Sequence, residues 1–196
     1  MKVNQELTFT TRELILGGQR SGKSRRAEDL TAAWLAQSVQ HKAVFVATAQ
    51  AWDEEMRERI TRHQADRAVC LPRMRTVEEG LDLARVIRAH SAVDCLVVID
   101  CLTLWLTNCL MPVPPQCADL DAWESAEQAL LDALAQARGP VVLVSNEIGL
   151  GVIPMGREVR EFVDSLGRLN QSVARVCTRV NLMAAGLALC LKDDER

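Results

Sequence analysis

One stretch near the amino terminus constrains the fold more than any other part of the chain. An apolar run, Leu14-Ile15-Leu16, leads directly into Gly17-Gly18-Gln19-Arg20-Ser21-Gly22-Lys23-Ser24, which fits the pattern G-x-x-x-x-G-K-[ST]. Glycines let the backbone turn tightly and approach an anion closely, and the N–H groups of such a turn point into one concavity at the start of a helix. The stretch therefore predicts a buried strand, a phosphate-binding loop and a helix, in that order.

The two residues that close this pattern bear on the ligand. The Lys23 ammonium suits the β- and γ-phosphates of a nucleoside triphosphate, and the Ser24 hydroxyl suits Mg²⁺. A second run, Asp94-Cys95-Leu96-Val97-Val98-Ile99-Asp100, ends an apolar strand with an acid, which is a common companion of a phosphate-binding loop. Asp100 is therefore predicted to hold Mg²⁺ directly or through water. These residues predict triphosphate binding without indicating which nucleotide or which reaction.

The remaining pattern alternates between strands and helices. Strands are predicted at 14–16, 43–48, 94–100 and 141–144, with a last strand or hairpin over 181–192 that turns at Ala185-Gly186. Helices are predicted at 24–37, 52–67, 77–90, 119–137 and 157–179, and 102–110 is predicted to be a short helix or loop. This alternation favours an α/β fold, a doubly wound and mostly parallel sheet, with 1–196 as a single domain. Such a sheet would bring the phosphate-binding loop, Thr48, Asp100 and Ser145–Glu147 to one rim.

Composition limits the kinds of partner. With 196 residues and a net charge of −3, the chain is large enough for one core and is not expected to bind nucleic acid generally. We expect no membrane span and no signal peptide, because no apolar run is long enough. The seven cysteines are odd in number and contain no C-x-x-C. Buried thiols in a cytoplasmic protein are therefore expected in preference to a zinc site.

The predicted helix 52–67 carries a histidine among charged residues. Met56, Ile60 and His63 lie on one helical face, and Arg59 and Arg67 lie one turn to either side of the histidine. On this local pattern alone, the histidine would be an incidental member of a solvated helix.

Several stretches considered together resemble one family. Besides Gly17–Ser24 and the helix with His63, they are Ala47-Thr48-Ala49-Gln50, Asp100-Cys101-Leu102-Thr103-Leu104-Trp105-Leu106-Thr107-Asn108, Val144-Ser145-Asn146-Glu147-Ile148-Gly149, Gly167-Arg168-Leu169-Asn170-Gln171 and Ala185-Gly186-Leu187. The sequence resembles the bifunctional adenosylcobinamide kinase / adenosylcobinamide-phosphate guanylyltransferase family of cobalamin assembly, from Glu13 to Lys192. The segment Ala68–Met74 departs from the family pattern and carries a small insertion.

The resemblance implies two reactions on a corrinoid. The enzyme would phosphorylate adenosylcobinamide with ATP or GTP and then transfer GMP from GTP to that phosphate, giving adenosylcobinamide-GDP and pyrophosphate. It implies a covalent guanylyl intermediate on His63, a RecA-like fold among the P-loop nucleoside triphosphatases (P-loop NTPases), a homotrimer, and Mg²⁺ held by Ser24 and Asp100. The implied nucleotide contacts are Gly17, Gly18, Gln19, Arg20, Ser21, Gly22, Lys23, Ser24, Thr48, Ala49, Gln50, Gln64, Ala65, Asp66, Arg67, Glu78 and Asp100.

Three other functions are compatible with a phosphate-binding loop. An ATPase that couples hydrolysis to movement or assembly would need a water-activating acid, a role that Glu147 could be given. A small-molecule kinase that does not act on corrinoids is the second, and a nucleotide-gated binding module without turnover is the third. Corrinoid-dependent consumption of GTP would distinguish the function implied by the family resemblance from all three alternatives.

Overall fold

The computed structural model describes residues 11–49, 71, 73–111, 120–152 and 154–194. The predicted helix 52–67, with His63, lies outside these ranges. The strands are β1 (Arg12–Gly17), β2 (Lys42–Ala47), β3 (Met74–Glu78), β4 (Cys95–Asp100), β5 (Val141–Asn146), β6 (Arg179–Ala184) and β7 (Leu187–Asp193). The helices are α1 (Lys23–Gln37), α2 (Leu83–His90), α3 (Leu102–Leu110), α4 (Leu120–Ala135) and α5 (Arg157–Val176).

The described strands form one sheet in the order β3-β2-β4-β5-β1-β6-β7. Neighbouring strands are parallel except for β6 and β7, which form an antiparallel hairpin. The prediction of a doubly wound, mostly parallel α/β sheet is confirmed. Because β5 alone separates β1 from β4, the phosphate-binding loop after Gly17 and the acid at Asp100 lie close together at the carboxyl edge of the sheet.

The two faces of the sheet are buried against different helices. On one face, Ile15, Val98 and Val144 belong to the cluster that includes the apolar residues of α1. On the other face, the alternate residues of the same strands pack with α2, α3, α4 and α5. Strands that are covered on both faces need continuous apolar runs, which is the pattern their sequences show. The apolar residues of α1 are buried against the first face, namely Ala27, Leu30, Trp34 and Leu35.

The structure corrects several predicted boundaries, and the helix predicted over 157–179 ends at Val176, with Arg179 already in β6. The residues from Val77 do not begin a helix, because Met74–Glu78 pairs with β2 as an edge strand and the helix begins only at Leu83. The sheet therefore has seven strands where five were predicted, and the difference is β3 and the division of 181–192 into two strands. The turn predicted at Ala185-Gly186 is confirmed as the β6–β7 turn.

A buried carboxylate joins β1 to its neighbours. Glu13 is 2% exposed, and its carboxylate lies 3.6 Å from Arg26 and 4.0 Å from Arg179. The side-chain amide of Asn181 donates a hydrogen bond to the same carboxylate at 2.9 Å. A buried charge is tolerated only when it is paired, so Glu13 must stay in contact with these partners. The contacts therefore fix the position of β1, the strand that leads into the phosphate-binding loop. None of the described helices combines the length and the apolar character that a bilayer crossing requires.

Candidate active site

The phosphate-binding loop has the backbone that its glycines predict. Gly22 has φ 102°, in the left-handed region, and is the residue from which α1 begins. A β-carbon at Gly17 would lie 2.5 Å from the Ser21 hydroxyl oxygen and 2.6 Å from the Met183 carbonyl oxygen, closer than real contacts allow. The loop can therefore close this tightly only with glycine at these positions.

The hairpin turn between β6 and β7 packs against the phosphate-binding loop. The backbone N–H of Gly186 donates to the Ser21 carbonyl oxygen at 3.0 Å. A β-carbon at Gly22 would lie 3.1 Å from the Gly186 Cα. The turn at Ala185-Gly186 thus holds the loop in its shape, a role that the sequence pattern did not reveal.

Lys23, Ser24 and Asp100 converge at the carboxyl edge of the sheet. The Lys23 Nζ donates to the Gly18 carbonyl oxygen at 2.6 Å, and the Ser24 hydroxyl donates to the Asp100 carboxylate at 3.1 Å. Burial lowers the pKa of the Lys23 ammonium, and the negative charge of Asp100 opposes that shift. Hydroxyl and carboxylate oxygens are ligands that suit Mg²⁺, so the chemistry of this pair fits the predicted metal site.

Thr48 lies next to the site, and its hydroxyl hydrogen-bonds to the backbone of Cys101. Its hydroxyl accepts from the Cys101 N–H at 2.7 Å and donates to the Cys101 carbonyl oxygen at 2.8 Å, and the side chain is fully buried. The side-chain amide of Asn108 donates to the Thr48 carbonyl oxygen at 2.9 Å and to the Gly80 carbonyl oxygen at 3.0 Å. Thr48 therefore fixes the backbone that follows Asp100, and Asn108 fixes the backbone of Thr48 and Gly80. The sequence analysis included Asn108 only as part of a longer matching stretch.

The other predicted nucleotide contacts divide into two groups. Ala49 is half-buried at the rim, and Glu78 is exposed at the end of the edge strand β3, where it pairs in register with Ala47. Gln50, Gln64, Ala65, Asp66 and Arg67 lie, like His63, outside the described residues. All of these assignments remain predictions.

The end of β5 adds polar residues between β1 and β4. Asn146 pairs in register with Gly17, and the Glu147 N–H donates to the Gly17 carbonyl oxygen at 3.1 Å. Ser145 is fully buried on the face of α5, whereas the Glu147 carboxylate accepts from the Gly149 N–H at 2.7 Å. The rim predicted for Ser145–Glu147 is thus confirmed, with the Glu147 carboxylate bonded to its own loop.

The segment after Glu147 exposes apolar side chains beside this rim. Leu150, Val152 and Met155 are 80%, 96% and 95% exposed. A groove of about 650 Å³ runs between this segment and α5, with Arg157 and Arg160 among its lining residues. Exposed apolar side chains beside a groove lined by arginines are typical of a surface that receives a ligand or a partner.

Comparisons with known proteins agree with this geometry. A family model described as cobinamide kinase / cobinamide phosphate guanyltransferase matches residues 13–191. The chain is 45% identical over 184 residues to a bifunctional adenosylcobalamin biosynthesis protein CobP of Pseudomonas aeruginosa, covering 93% of this chain and 98% of that protein. It is 36% identical over 188 residues to the CobU protein of the same description from Escherichia coli, covering 91% and 98%.

Two solved structures share the fold at low sequence identity. The flagellar accessory protein FlaH of Methanocaldococcus jannaschii has a TM-score of 0.55 at 13% identity, with 95% of this chain and 80% of that chain covered. A KaiC-like protein of Pyrococcus horikoshii has a TM-score of 0.54 at 15% identity, with 94% and 80% covered. These likenesses support a RecA-like α/β fold. From the family match and the curated relatives, the chain belongs to the cobinamide kinase / cobinamide phosphate guanyltransferase family.

Proposed function

We propose that this enzyme phosphorylates the aminopropanol hydroxyl of adenosylcobinamide with ATP or GTP, and then transfers GMP from GTP to the new phosphate. The products of the second step are adenosylcobinamide-GDP and pyrophosphate. The observation that carries the proposal is the convergence of Lys23, Ser24 and Asp100 at a glycine-rich loop, in a chain of this family. The test is to incubate the purified protein with adenosylcobinamide, GTP and Mg²⁺ and to resolve the corrinoid products by mass. Absence of both corrinoid products would refute the proposal.

The nucleotide site that we propose is centred on the phosphate-binding loop Gly17–Ser24. Its backbone N–H groups and the start of α1 would hold the phosphates, with the Lys23 ammonium between the β- and γ-groups. Ala49, Gln50, Glu78 and the segment 64–67 would contact the rest of the nucleotide. Because the Thr48 side chain is bonded to Cys101, we propose that Thr48 shapes the site through the backbone beside Asp100.

We propose that Ser24 and Asp100 hold Mg²⁺ together with phosphate oxygens. The support is the 3.1 Å hydrogen bond that brings these two oxygen donors together at the loop. When bound, Mg²⁺ would neutralise charge on the triphosphate. The chain's own residues orient the triphosphate, since the loop N–H groups and Lys23 determine where its terminal phosphates lie.

His63 is proposed as the residue that carries GMP. A neutral imidazole nitrogen would attack the α-phosphorus of GTP, forming an N–P bond as the bond to the pyrophosphate oxygen breaks; the corrinoid phosphate oxygen would then displace the imidazole. The two other histidines support this choice by their places in the fold. His41 stacks on Trp34 just before β2, and His90 ends α2 before β4, so both lie at the amino edge of the sheet. Strands of this length place that edge roughly 20 Å from the loop.

The histidine assignment has a direct test with a matched control. The protein is incubated with α-labelled GTP and Mg²⁺ in the absence of corrinoid, and the label is mapped. We expect an acid-labile, base-stable phosphoramidate on the peptide that contains His63, absent from His63→Ala and retained by His90→Ala. Label that survives in His63→Ala, or label on Lys23, would overturn the assignment.

The apolar segment after Glu147 is our candidate for the acceptor surface. A corrinoid presents a large macrocycle edged with amides, which suits exposed Leu150, Val152 and Met155 with arginines nearby. Replacing these three residues with serine should raise KM for the corrinoid at least tenfold and leave the Kd for GTP unchanged. An unchanged corrinoid KM would exclude this surface.

The ATPase alternative has less support. A water-activating acid must be available to a water beside the terminal phosphate, whereas the Glu147 carboxylate accepts a hydrogen bond from the Gly149 N–H.

We further propose that 1–196 forms a single domain, that the enzyme works in the cytoplasm, and that it assembles as a homotrimer. The support for assembly is an apolar edge: Leu187, Leu189 and Leu191 alternate along the edge strand β7 and are 74%, 59% and 55% exposed.

A further inference from the structure

The side chain of Asn146 lies at the proposed site, although Asn146 belongs neither to the phosphate-binding loop nor to the proposed Mg²⁺ ligands Ser24 and Asp100. On β5, Val142 and Val144 belong to the cluster that contains the apolar residues of α1. Since side chains alternate along a strand, Asn146 lies on that same face, two residues further on. Asp100 follows Val98 on β4 by the same alternation, and its carboxylate meets Ser24 of α1. Asn146 and Asp100 therefore end neighbouring strands on the face that carries the phosphate-binding loop.

The register places Asn146 beside the start of that loop. Asn146 is the Cα partner of Gly17, and the next residue donates its N–H to the Gly17 carbonyl oxygen at 3.1 Å. Lys23 and Ser24 lie at the other end of the loop. Lys23 is expected to contact the β- and γ-phosphates, and Ser24 is expected to hold the Mg²⁺ bound to them. The half-buried Asn146 side chain thus lies at the same rim as the groups that would hold the terminal phosphates.

The backbone of Asn146 is held on both sides. Its N–H donates to the Thr103 hydroxyl of α3 at 2.9 Å, and its carbonyl oxygen accepts from the Asn170 side-chain amide of α5 at 3.1 Å. Within the part of the chain that the structure describes, the Asn146 side-chain amide makes no hydrogen bond of its own. Two helices therefore fix the position of this residue while its amide stays available, which is how a preorganised polar group is built.

We propose that the Asn146 amide donates a hydrogen bond to the γ-phosphoryl group during the kinase step. The inference rests on the proposed function. In that step the corrinoid hydroxyl oxygen forms a bond to the γ-phosphorus, the bond from the γ-phosphorus to the β,γ-bridging oxygen breaks, the nucleoside diphosphate leaves, and the hydroxyl proton passes to water. An amide N–H aimed at the equatorial oxygens stabilises their charge in the transition state. Guanylyl transfer reacts at the α-phosphorus, so Asn146 should matter far less to it.

The test compares the two half-reactions in the same variants of the full-length enzyme. Asn146→Asp keeps the size of the side chain and replaces its donor with an anion, and Asn146→Ala removes it. Phosphorylation of adenosylcobinamide should fall about 100-fold in kcat for Asn146→Ala, the size of effect that follows loss of one such donor. In Asn146→Asp the loss should be at least as large, and the Kd for GTP should rise, because the new carboxylate repels the γ-phosphate. For Asn146→Ala, the Kd for GTP and the rate of guanylylation without corrinoid should stay within threefold of the parent, and the apparent melting temperature within about 2 °C. Gln136→Glu, the same amide-to-carboxylate change at an exposed site before β5, is the control.

The outcomes separate this inference from the proposed function. A parent enzyme that does not phosphorylate the corrinoid refutes the proposed function before any variant is compared. Phosphorylation by Asn146→Asp at the parental rate refutes the inference alone. Equal losses of kinase and guanylylation rates in Asn146→Ala also refute it, because a structural role for Asn146 would impair both half-reactions together.

Discussion

Replacing Thr48 with valine should destabilise the free enzyme, because the Thr48 hydroxyl serves Cys101 rather than a ligand. Valine has nearly the same shape but cannot hydrogen-bond. It would remove the acceptor at 2.7 Å from the Cys101 N–H and the donor at 2.8 Å from the Cys101 carbonyl oxygen. That carbonyl oxygen keeps a hydrogen bond from the Trp105 N–H at 3.2 Å, so the unpartnered group is mainly the Cys101 N–H.

The expected magnitude follows from these contacts. A buried N–H left without a partner costs about 1–3 kcal/mol, and loss of the second hydrogen bond adds about 1 kcal/mol. The free energy of unfolding should therefore fall by about 2–4 kcal/mol. For a chain of this size, about 2–4 °C is lost per kcal/mol, so Tm should fall by about 5–15 °C. Thr48→Ser keeps the hydroxyl and loses only a methyl group, and it should lose about 1 kcal/mol.

The assay is urea unfolding in the absence of nucleotide, with the m-value compared between variants. Omitting the nucleotide separates a structural role from ligand binding. Equal stability of Thr48→Val and the parent would refute this account of Thr48. A variant with parental stability but weakened GTP binding would instead establish the nucleotide contact that the sequence resemblance implied.

Three further predictions concern the metal, the thiols and the assembly. Asp100→Asn, an isosteric change that removes the charge beside Ser24, should raise the Mg²⁺ concentration needed for half-maximal turnover at least tenfold; a parental Mg²⁺ dependence would exclude Asp100 as a ligand. Burial raises the pKa of the Cys101 thiol from 9.0 to about 11 and that of Cys177 to about 12. As pH rises, these thiols therefore lose their protons in the unfolded chain before they do so in the folded one, and the folded state is destabilised. The urea concentration at the unfolding midpoint should fall between pH 9 and pH 11, and it should fall less in Cys177→Ala than in the parent. Leu189→Glu on β7 should shift the protein from trimer to monomer in light scattering, whereas a monomeric parent would refute the trimer.

The clearest successes of sequence reasoning are local. The order of strand, glycine loop and helix around Gly17–Ser24 follows from backbone sterics and hydrogen bonding within one short stretch. The buried strands follow from continuous apolar runs, which only a sheet covered on both faces requires. Asp100 was placed correctly at the rim because the carboxyl ends of parallel strands share an edge.

The edge strand β3 shows where such reasoning fails. Met74-Arg75-Thr76-Val77-Glu78 has no strong period, and the sequence pattern predicts a helix from Val77 onward. Its conformation is decided by pairing with β2, a contact between segments that are distant in sequence. Edge strands of this kind carry little signal of their own, since only one side is hydrogen-bonded and their burial is partial.

A phosphate-binding α/β chain, its reactive residue types and, through resemblance, its family can all be predicted from the amino-acid sequence. The part that each rim residue plays follows from the folded arrangement. The Thr48 hydroxyl bonds to the Cys101 backbone, and alternation along β5 places Asn146 on the face of the phosphate-binding loop. Strand order brought Asn146 beside Gly17, and contacts from Thr103 and Asn170 fixed it there. Side-chain roles depend on the sheet face and the neighbours that a residue meets, and these are set by long-range strand pairing rather than by local sequence pattern.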